Sequence, residues 1–241
     1  MSGTQAARRA AIPFVWSDAV LAHDPRHEIW VGVPTPASEV PERAIALRQA
    51  LLAAGHPETA ARPTSDDDLL AVHDADLVAW LRSAWDDWHA GDYEDLVGQD
   101  RVVPYVFATP ALSCDMPVRR PVATHALAGR FCYDTMTLVG PGTWEAARGA
   151  IDCALTAVDL VSAGEQAVFA LCRPPGHHAT PSGFGGSCYL NNAADAAQAL
   201  ARDGRRVAVI DVDAHHGNGT QAVFWQRPDV LYGSVHVDPG A

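Results

Sequence analysis

Arg206-Val207-Ala208-Val209-Ile210-Asp211-Val212-Asp213-Ala214-His215-His216-Gly217-Asn218-Gly219-Thr220 is the stretch whose reading decides the fold. Arg206 to Val212 reads as a buried strand, and its apolar run gives way to Asp, His and Gly. Two similar runs flank it, Gln166 to Cys172 before and Val230 to Val235 after. Helical segments lie between them, from about Asn191 to Ala201 and from near Gly219. Strand, helix, strand with near-continuous apolar strands predicts a parallel sheet joined by right-handed crossovers. No internal repeat or linker interrupts the chain, so residues 1–241 read as a single α/β domain.

Earlier segments fit the same class. Ile12 to Trp16 reads as a first strand, and the Pro- and His-rich stretch from His23 to Val40 as a long loop. A helix is expected from Pro41, with Gly55 as its stop. Ser65 caps a second helical region, with Asp66, Asp67 and Asp68 in its first turn, extending to about residue 89 as two helices. Its tryptophans read as core. Residues 91–142 read as long functional loops with a short helix or two, and Thr143 as the cap of a helix from Trp144 to about Ser162.

Composition narrows the function classes. The chain has 241 residues, 48% hydrophobic and 19% charged, which is a globular composition. Lys plus Arg is 17 and Asp plus Glu is 29, a formal charge of −12, which argues against nucleic acid and mildly favours a cationic small molecule. No apolar run is long enough to span a bilayer, so no membrane partner is expected. Met1 to Arg9 has no apolar core of a secretory signal, and a cytoplasmic location is expected. Five cysteines without a C-x-x-C spacing read as reduced thiols rather than as a zinc site.

Three polar clusters follow the three strands: Arg173-Pro174-Pro175-Gly176-His177-His178, then Asp211 to Thr220, then Ser234-Val235-His236. Ligands bind beyond the carboxyl ends of strands in open α/β sheets. Asp211, Asp213 and His215 alternate on an extended backbone, which puts their side chains on one face. Two carboxylates and an imidazole suit zinc or iron(II). The plain alternative is a polar strand end with a capping Asp. His177 and His178, held by two prolines and a glycine, suit proton transfer near neutral pH.

Arg173 to Ala179, Gly185-Gly186-Ser187-Cys188-Tyr189-Leu190-Asn191-Asn192-Ala193 and Asp211 to Thr220 together resemble the successive signatures of the histone deacetylase superfamily, in its bacterial acetylpolyamine amidohydrolase branch. Leu70 to Asp74, Asp134-Thr135 and Gly140 to Ala147 resemble it too. The likeness covers roughly residue 65 to the end, with a looser match before it. It implies a three-layer α/β/α, mainly parallel, arginase/deacetylase-like fold, and zinc-dependent hydrolysis of the acetamide of an acetylated amine. It implies zinc ligands at Asp213 and His215, tandem catalytic histidines at His177 and His178, and Asp211 and Asn218 behind them. It also implies a structural potassium ion held by Asp211, Asp213, His215, Ser234 and Val235, partly through backbone oxygens, and a second cation near the backbone of Phe224, Arg227 and Val230. Asp134 matches an acidic residue at the rim of the substrate channel, next to Gly186 and Ser187. His178 is expected to be the general base, and His177 to serve the leaving amine. Acetylpolyamine, acetyl-lysine in protein and other small acylated amines are all compatible. In that branch long loops help form a dimer that narrows the entrance, and residues 23–40 and 91–142 are placed to do so.

The resemblance also marks departures. The family's third zinc ligand, an Asp beyond a further strand, and its oxyanion-stabilising Tyr have no counterpart up to Ala241. The chain is expected to be part of a longer enzyme, to be a poor catalyst alone, and to expose apolar strand edges and aggregate. A short metal-binding protein without activity is the alternative, as is a non-catalytic acyl-amine-binding module. Ser187 stands where the family carries an aromatic wall, which widens or polarises the channel. An arginase-like ureohydrolase is a further rival. It expects D-x-H-x-D, whereas this chain reads D-x-D-x-H and has Gly217 two residues beyond His215.

Overall fold

The computed structural model describes residues 11–91, 99–114, 116–117, 119–238 and 240. In chain order it contains β1 (Phe14–Trp16), β2 (His27–Trp30), β3 (Val33–Pro36), α1 (Pro41–Ala53), β4 (Glu58–Ala60), α2 (Asp66–Leu70), α3 (Ala75–Ala90) and α4 (Pro110–Ser113). It continues with α5 (Thr124–Phe131), α6 (Thr143–Ser162), β5 (Phe169–Ala170), α7 (Asn192–Arg202), β6 (Val207–Asp211), α8 (Asn218–Phe224) and β7 (Val230–Ser234). The protein is α/β. β1 pairs in parallel with β4 and β5, and β6 pairs in parallel with β7. Among the described residues no helix is long and apolar enough to cross a membrane.

The sheet differs from the expectation. Among the described residues β5 and β6 do not hydrogen-bond to each other, so the parallel strands fall in two sheets. Both strands are also shorter than their apolar runs, and neither is buried on both faces. Ala208 and Ile210 on β6 and Phe169 on β5 are exposed. An apolar run measures affinity for a covered surface, whereas burial depends on which elements arrive to cover it. Here α7 contributes Ala194, Ala197 and Ala201 to one face of β6–β7, beside Phe224 of α8 and Val230 of β7.

His23 to Val40 is not a plain loop. It carries the antiparallel hairpin β2–β3, turned at Val31-Gly32 with φ of 49° and 79°. Two successive positive φ values define the tight turn that suits the twist of a hairpin. Pro34 and Pro36 obscured it, because proline argues against a strand except at an edge, and β3 is an edge.

Helix starts follow local chemistry. Pro41 opens α1, and Gly55 follows its end at φ 83°. Ser65 precedes α2, but its hydroxyl bonds Asp68 Oδ2 at 3.2 Å instead of capping the backbone. The cap of α6 is Gly142, at φ 72°, and Thr143 is its first helical residue. Thr143 Oγ1 accepts from Gly140 N and lies 3.0 Å from His23 Nδ1, which joins α6 to the chain before β2.

The largest core cluster lies between α3, α5, α6 and the loop at 184–190. Trp80 stacks on Phe184 at 5.7 Å between centroids, and Phe184 on Tyr189 at 5.5 Å. These rings anchor both ends of the Gly185–Cys188 turn in the interior. A second cluster joins β1 to Val20, Ala44, Cys153 and Leu171. The described cysteines are all free thiols, and Cys114 is the exposed one.

Candidate active site

The polar clusters gather beyond the ends of β5, β6 and β7. β6 stops at Asp211, so Asp213 and His215 lie in the bends after it rather than on extended backbone. Their convergence comes from local hydrogen bonds. Asp213 N donates to Asp211 Oδ1 at 3.1 Å, and His215 N donates to Asp213 Oδ1 at 2.8 Å. Asn and Asp side chains that bond backbone two residues on make turns of this kind. His215 Nδ1 ends 3.3 Å from Asp213 Oδ1.

The tandem histidines sit opposite. His177 Nδ1 donates to Asp211 Oδ2 at 2.9 Å, and its Nε2 lies 3.9 Å from Asp213 Oδ1. His178 Nδ1 donates to Asn218 Oδ1 at 2.6 Å. The two rings are 4.1 Å apart, and His178 is 6.1 Å from His215. Thr220 N donates to His177 O at 3.0 Å, which holds α8 against the histidine backbone. A Cβ at Gly217 would lie 2.2 Å from Asp211 Oδ2, so only glycine lets the loop pass beside that carboxylate.

Charges follow from these contacts. Burial lowers the pKa of His178; the bond to Asn218 opposes this, and His177 and His215 lower it further. Burial pushes Asp211 up, but its bonds from His177, Asp213 N and Tyr232 win, and its pKa is lowered. Burial also works against the Asp213 carboxylate, and the His215 N–H and the neighbouring imidazoles outweigh it, again to a lowered value.

Asp213 and His215 present one carboxylate and one imidazole to the same space, which fits half the donor set of a divalent cation. Among the described residues no three His, Cys, Asp or Glu side chains converge so as to hold a metal ion by themselves. Register pairs Asp211 with Ser234, and Val235 N donates to Asp211 O at 2.9 Å. Ser234 Oγ is 2.8 Å from His236 Nδ1.

A cleft of about 440 Å³ holds His177, His178, Asp213 and His215, with Gly186 and Ser187 on its wall. A second cavity of about 230 Å³ shares Glu28, Glu39, Met136 and Ser187 with it. Asp134, expected at the rim, does not line the cleft. Its carboxylate is taken up by Met136 N, Thr137 N, Thr137 Oγ1 and Gly186 N at 2.6–3.1 Å.

Several residues of the site carried no role in the sequence reading. Arg173 is buried; it donates to Val20 O and Glu39 O and pairs with Glu39 Oε1 at 2.7 Å. It ties the histidine loop to the start of α1. Tyr133 Oη donates to His178 O at 2.9 Å, and Tyr232 Oη to Asp211 Oδ2 at 3.2 Å. Asn191 Nδ2 donates to Ala179 O, and Asn191 N donates to buried His73 Nε2. No local pattern marks the two tyrosines, because their partners are far away in sequence. Arg173 and Asn191 do stand within the quoted motifs.

The histone deacetylase domain model matches residues 37–241. The chain belongs to the histone deacetylase family. Family members similar to it include the acetylpolyamine amidohydrolase of Mycoplana ramosa, 38% identical over 232 residues, covering 93% of this chain and 64% of the relative. The acetylpolyamine amidohydrolase of Burkholderia pseudomallei is 41% identical over 220 residues, covering 90% and 61%. A crystal structure of acetylpolyamine aminohydrolase from Burkholderia pseudomallei superposes with a TM-score of 0.85 at 39% identity, over 95% of this chain and 64% of that one. The chain thus spans less than two thirds of the length of these family members.

Proposed function

We propose that the protein, in the length its native gene expresses, hydrolyses the acetamide bond of an acetylated amine and releases acetate. The observation that carries this reading is the pairing of His177 with Asp211 and of His178 with Asn218, both facing Asp213 and His215 in one cleft. Family membership implies a metal-dependent enzyme. Zinc, with iron(II) as the alternative, is the ion we assign to Asp213 and His215. When bound, it would polarise the amide carbonyl and lower the pKa of a coordinated water.

The chain's own residues supply the rest. Asn218 holds the His178 ring with Nδ1 as donor, which leaves Nε2 free to take a proton. Burial keeps that ring neutral near pH 7, so it is the general base. Asp211 accepts from His177 Nδ1 and orients that ring. In this reading His177 carries a proton on Nε2 as well, delivers it to the leaving amine, and regains one from the proton that His178 took from water. Asp211, Asp213, His215, Ser234 and Val235 are the residues we assign to a structural potassium ion, with a second near Phe224, Arg227 and Val230. Small cationic acylated amines, acetylpolyamines among them, are the substrate class we favour. The acidic composition of −12 and the names of the similar proteins support it. Acetyl-lysine in proteins is a further candidate substrate, and the fold over 1–241 belongs to one domain of a cytoplasmic, dimeric enzyme in this reading.

A second reading rests on one observation, that the described residues bring two rather than three protein ligands together. In that reading the chain binds a metal and an acyl-amine without turning it over. The two are separated by measuring acetate release from acetylated polyamines by the zinc-loaded native-length protein and its His178→Ala variant. Turnover in the first that is nearly abolished in the second supports the enzyme. Zinc binding without acetate release supports the binding module.

A further inference from the structure

We infer that Asp134 is a positioning residue: its carboxylate clamps the Gly186–Ser187 turn, which backs the His178 ring and separates the cleft from the second cavity. The consequence for turnover rests on the deacetylase reading above, and the clamp itself does not.

Gly186 and Ser187 stand at φ 57° and 63°, two successive left-handed residues. An L side chain adopts that conformation at a cost, so Ser187 needs its turn fastened from outside. The fastening comes from Asp134. Its Oδ2 accepts Gly186 N at 2.6 Å and Thr137 Oγ1 at 3.1 Å. Its Oδ1 accepts Met136 N at 2.9 Å and Thr137 N at 2.7 Å. Thr137 Oγ1 then accepts Ser187 N at 2.7 Å, so the carboxylate holds both residues of the turn, one directly and one by relay. Each carboxylate oxygen already has two donors, so none is left over for a substrate ammonium.

The turn touches the chemistry on its other side. A Cβ built at Gly186 would lie 2.3 Å from His178 Cδ2, so the glycine backbone is the back stop of that ring. Ser187 lines both the cleft and the second cavity. Core packing of Phe184 and Tyr189 fixes the ends of this segment, and the Gly185–Cys188 bridge closes it. The middle is left to Asp134. Charge-assisted bonds from backbone N–H to a carboxylate are shorter and stronger than neutral ones, which suits a clamp that must hold a ring in place.

The test compares wild type with Asp134→Ala, which removes both acceptor oxygens, including the one facing Gly186 N. Hydrogen exchange at the Gly186 and Ser187 amides should speed up about tenfold or more, and the His178 ring signals should move in NMR spectra. In the metal-loaded native-length protein, kcat for an acetylated amine should fall about 10- to 100-fold with KM changed less than about threefold. Thr137→Val, which removes the acceptor of Ser187 N and one donor to Asp134 Oδ2 but keeps the direct bond from Gly186 N, should do the same in smaller measure, and it decides the matter if Asp134→Ala fails to fold. Unchanged exchange at both amides overturns the clamp. Faster exchange with unchanged kcat overturns the positioning role. If wild type hydrolyses no acylated amine, the proposed function fails, and exchange with the His178 signals still decides the clamp.

Discussion

His178 Nδ1 lies 2.6 Å from Asn218 Oδ1, across 40 residues of sequence. A neutral amide oxygen can only accept, so the ring is held with Nδ1–H toward α8 and Nε2 toward the cleft. Replacing Asn218 with Leu leaves the ring free to choose the other tautomer. We expect kcat to fall about 10²- to 10⁴-fold, the range of general base catalysis, with KM little changed. Steady-state acetate release by the native-length protein checks this, and an unaltered kcat speaks against His178 as the base.

Asp213 and His215 should act together on metal. Substituting either with Ala is expected to remove stoichiometric zinc, because the described residues offer no third ligand to compensate. Elemental analysis after dialysis against a weak chelator reads the outcome directly. Retention of one zinc per chain in both variants would place the metal elsewhere. In the proposed reading, stripping the metal from the native-length protein should abolish turnover, and zinc should restore it.

Acid should destabilise the fold through His23. Burial, then the charges of Arg173 and Arg101, lowers its pKa to about 3, while Thr143 Oγ1 sits 3.0 Å from its Nδ1. Below the ordinary value near 6.5 the unfolded chain takes a proton that the folded one refuses. The contribution is therefore complete above that pH and is lost as pH falls toward about 3. At pH 5 the loss is about 2 kcal/mol. His23→Gln should show a shallower fall of urea-unfolding stability between pH 7 and 5 than wild type, and parallel curves contradict the assignment. His73, lowered by burial to about 4, adds a second contribution of the same sign.

Asp195 predicts the opposite slope. Burial raises its pKa well above the usual carboxylate range, and among the described residues neither carboxylate oxygen has a hydrogen-bond partner. A carboxyl that prefers its proton when folded contributes stability below its unfolded value, and that stability is lost as pH rises. Asp195→Asn should gain stability relative to wild type as pH rises from 5 to 8, because Asn carries no charge to bury and no proton to hold. A loss of stability at pH 8 would mean the carboxylate has a partner.

The 241-residue chain should self-associate. Ile210, Val212 and Leu231 on and beside the β6–β7 pair are 63%, 79% and 66% exposed. Unpaired strand edges with apolar faces template further pairing. Ile210→Lys with Leu231→Glu should lower the apparent mass in sedimentation at a given concentration. No change would locate the contact elsewhere, for example at Trp30, Val31 and Val33 of the β2–β3 turn, which are also exposed.

What the amino-acid sequence makes legible follows from local chemistry. The α/β class came from apolar runs that end in Asp, His and Gly. The site came from His177-His178 and Asp211-Val212-Asp213-Ala214-His215, where residue type and spacing already carry ligand and proton-transfer chemistry. Helix starts at Pro41 and after Asn191 were also readable, because a cap is a contact between near neighbours. The hairpin at Val31-Gly32 was not, since two prolines argued against it and its pairing with an edge is a tertiary fact. Nor was the split into two parallel sheets, because an apolar strand does not name its neighbour. Asp134 shows the same limit at the scale of one side chain. The resemblance placed it at the rim of the substrate channel, but its four donors come from Met136, Thr137 and a glycine 52 residues away. Sequence determines which groups a chain can offer; the tertiary fold decides which of them meet, because hydrogen bonds and burial depend on distance in space rather than along the chain.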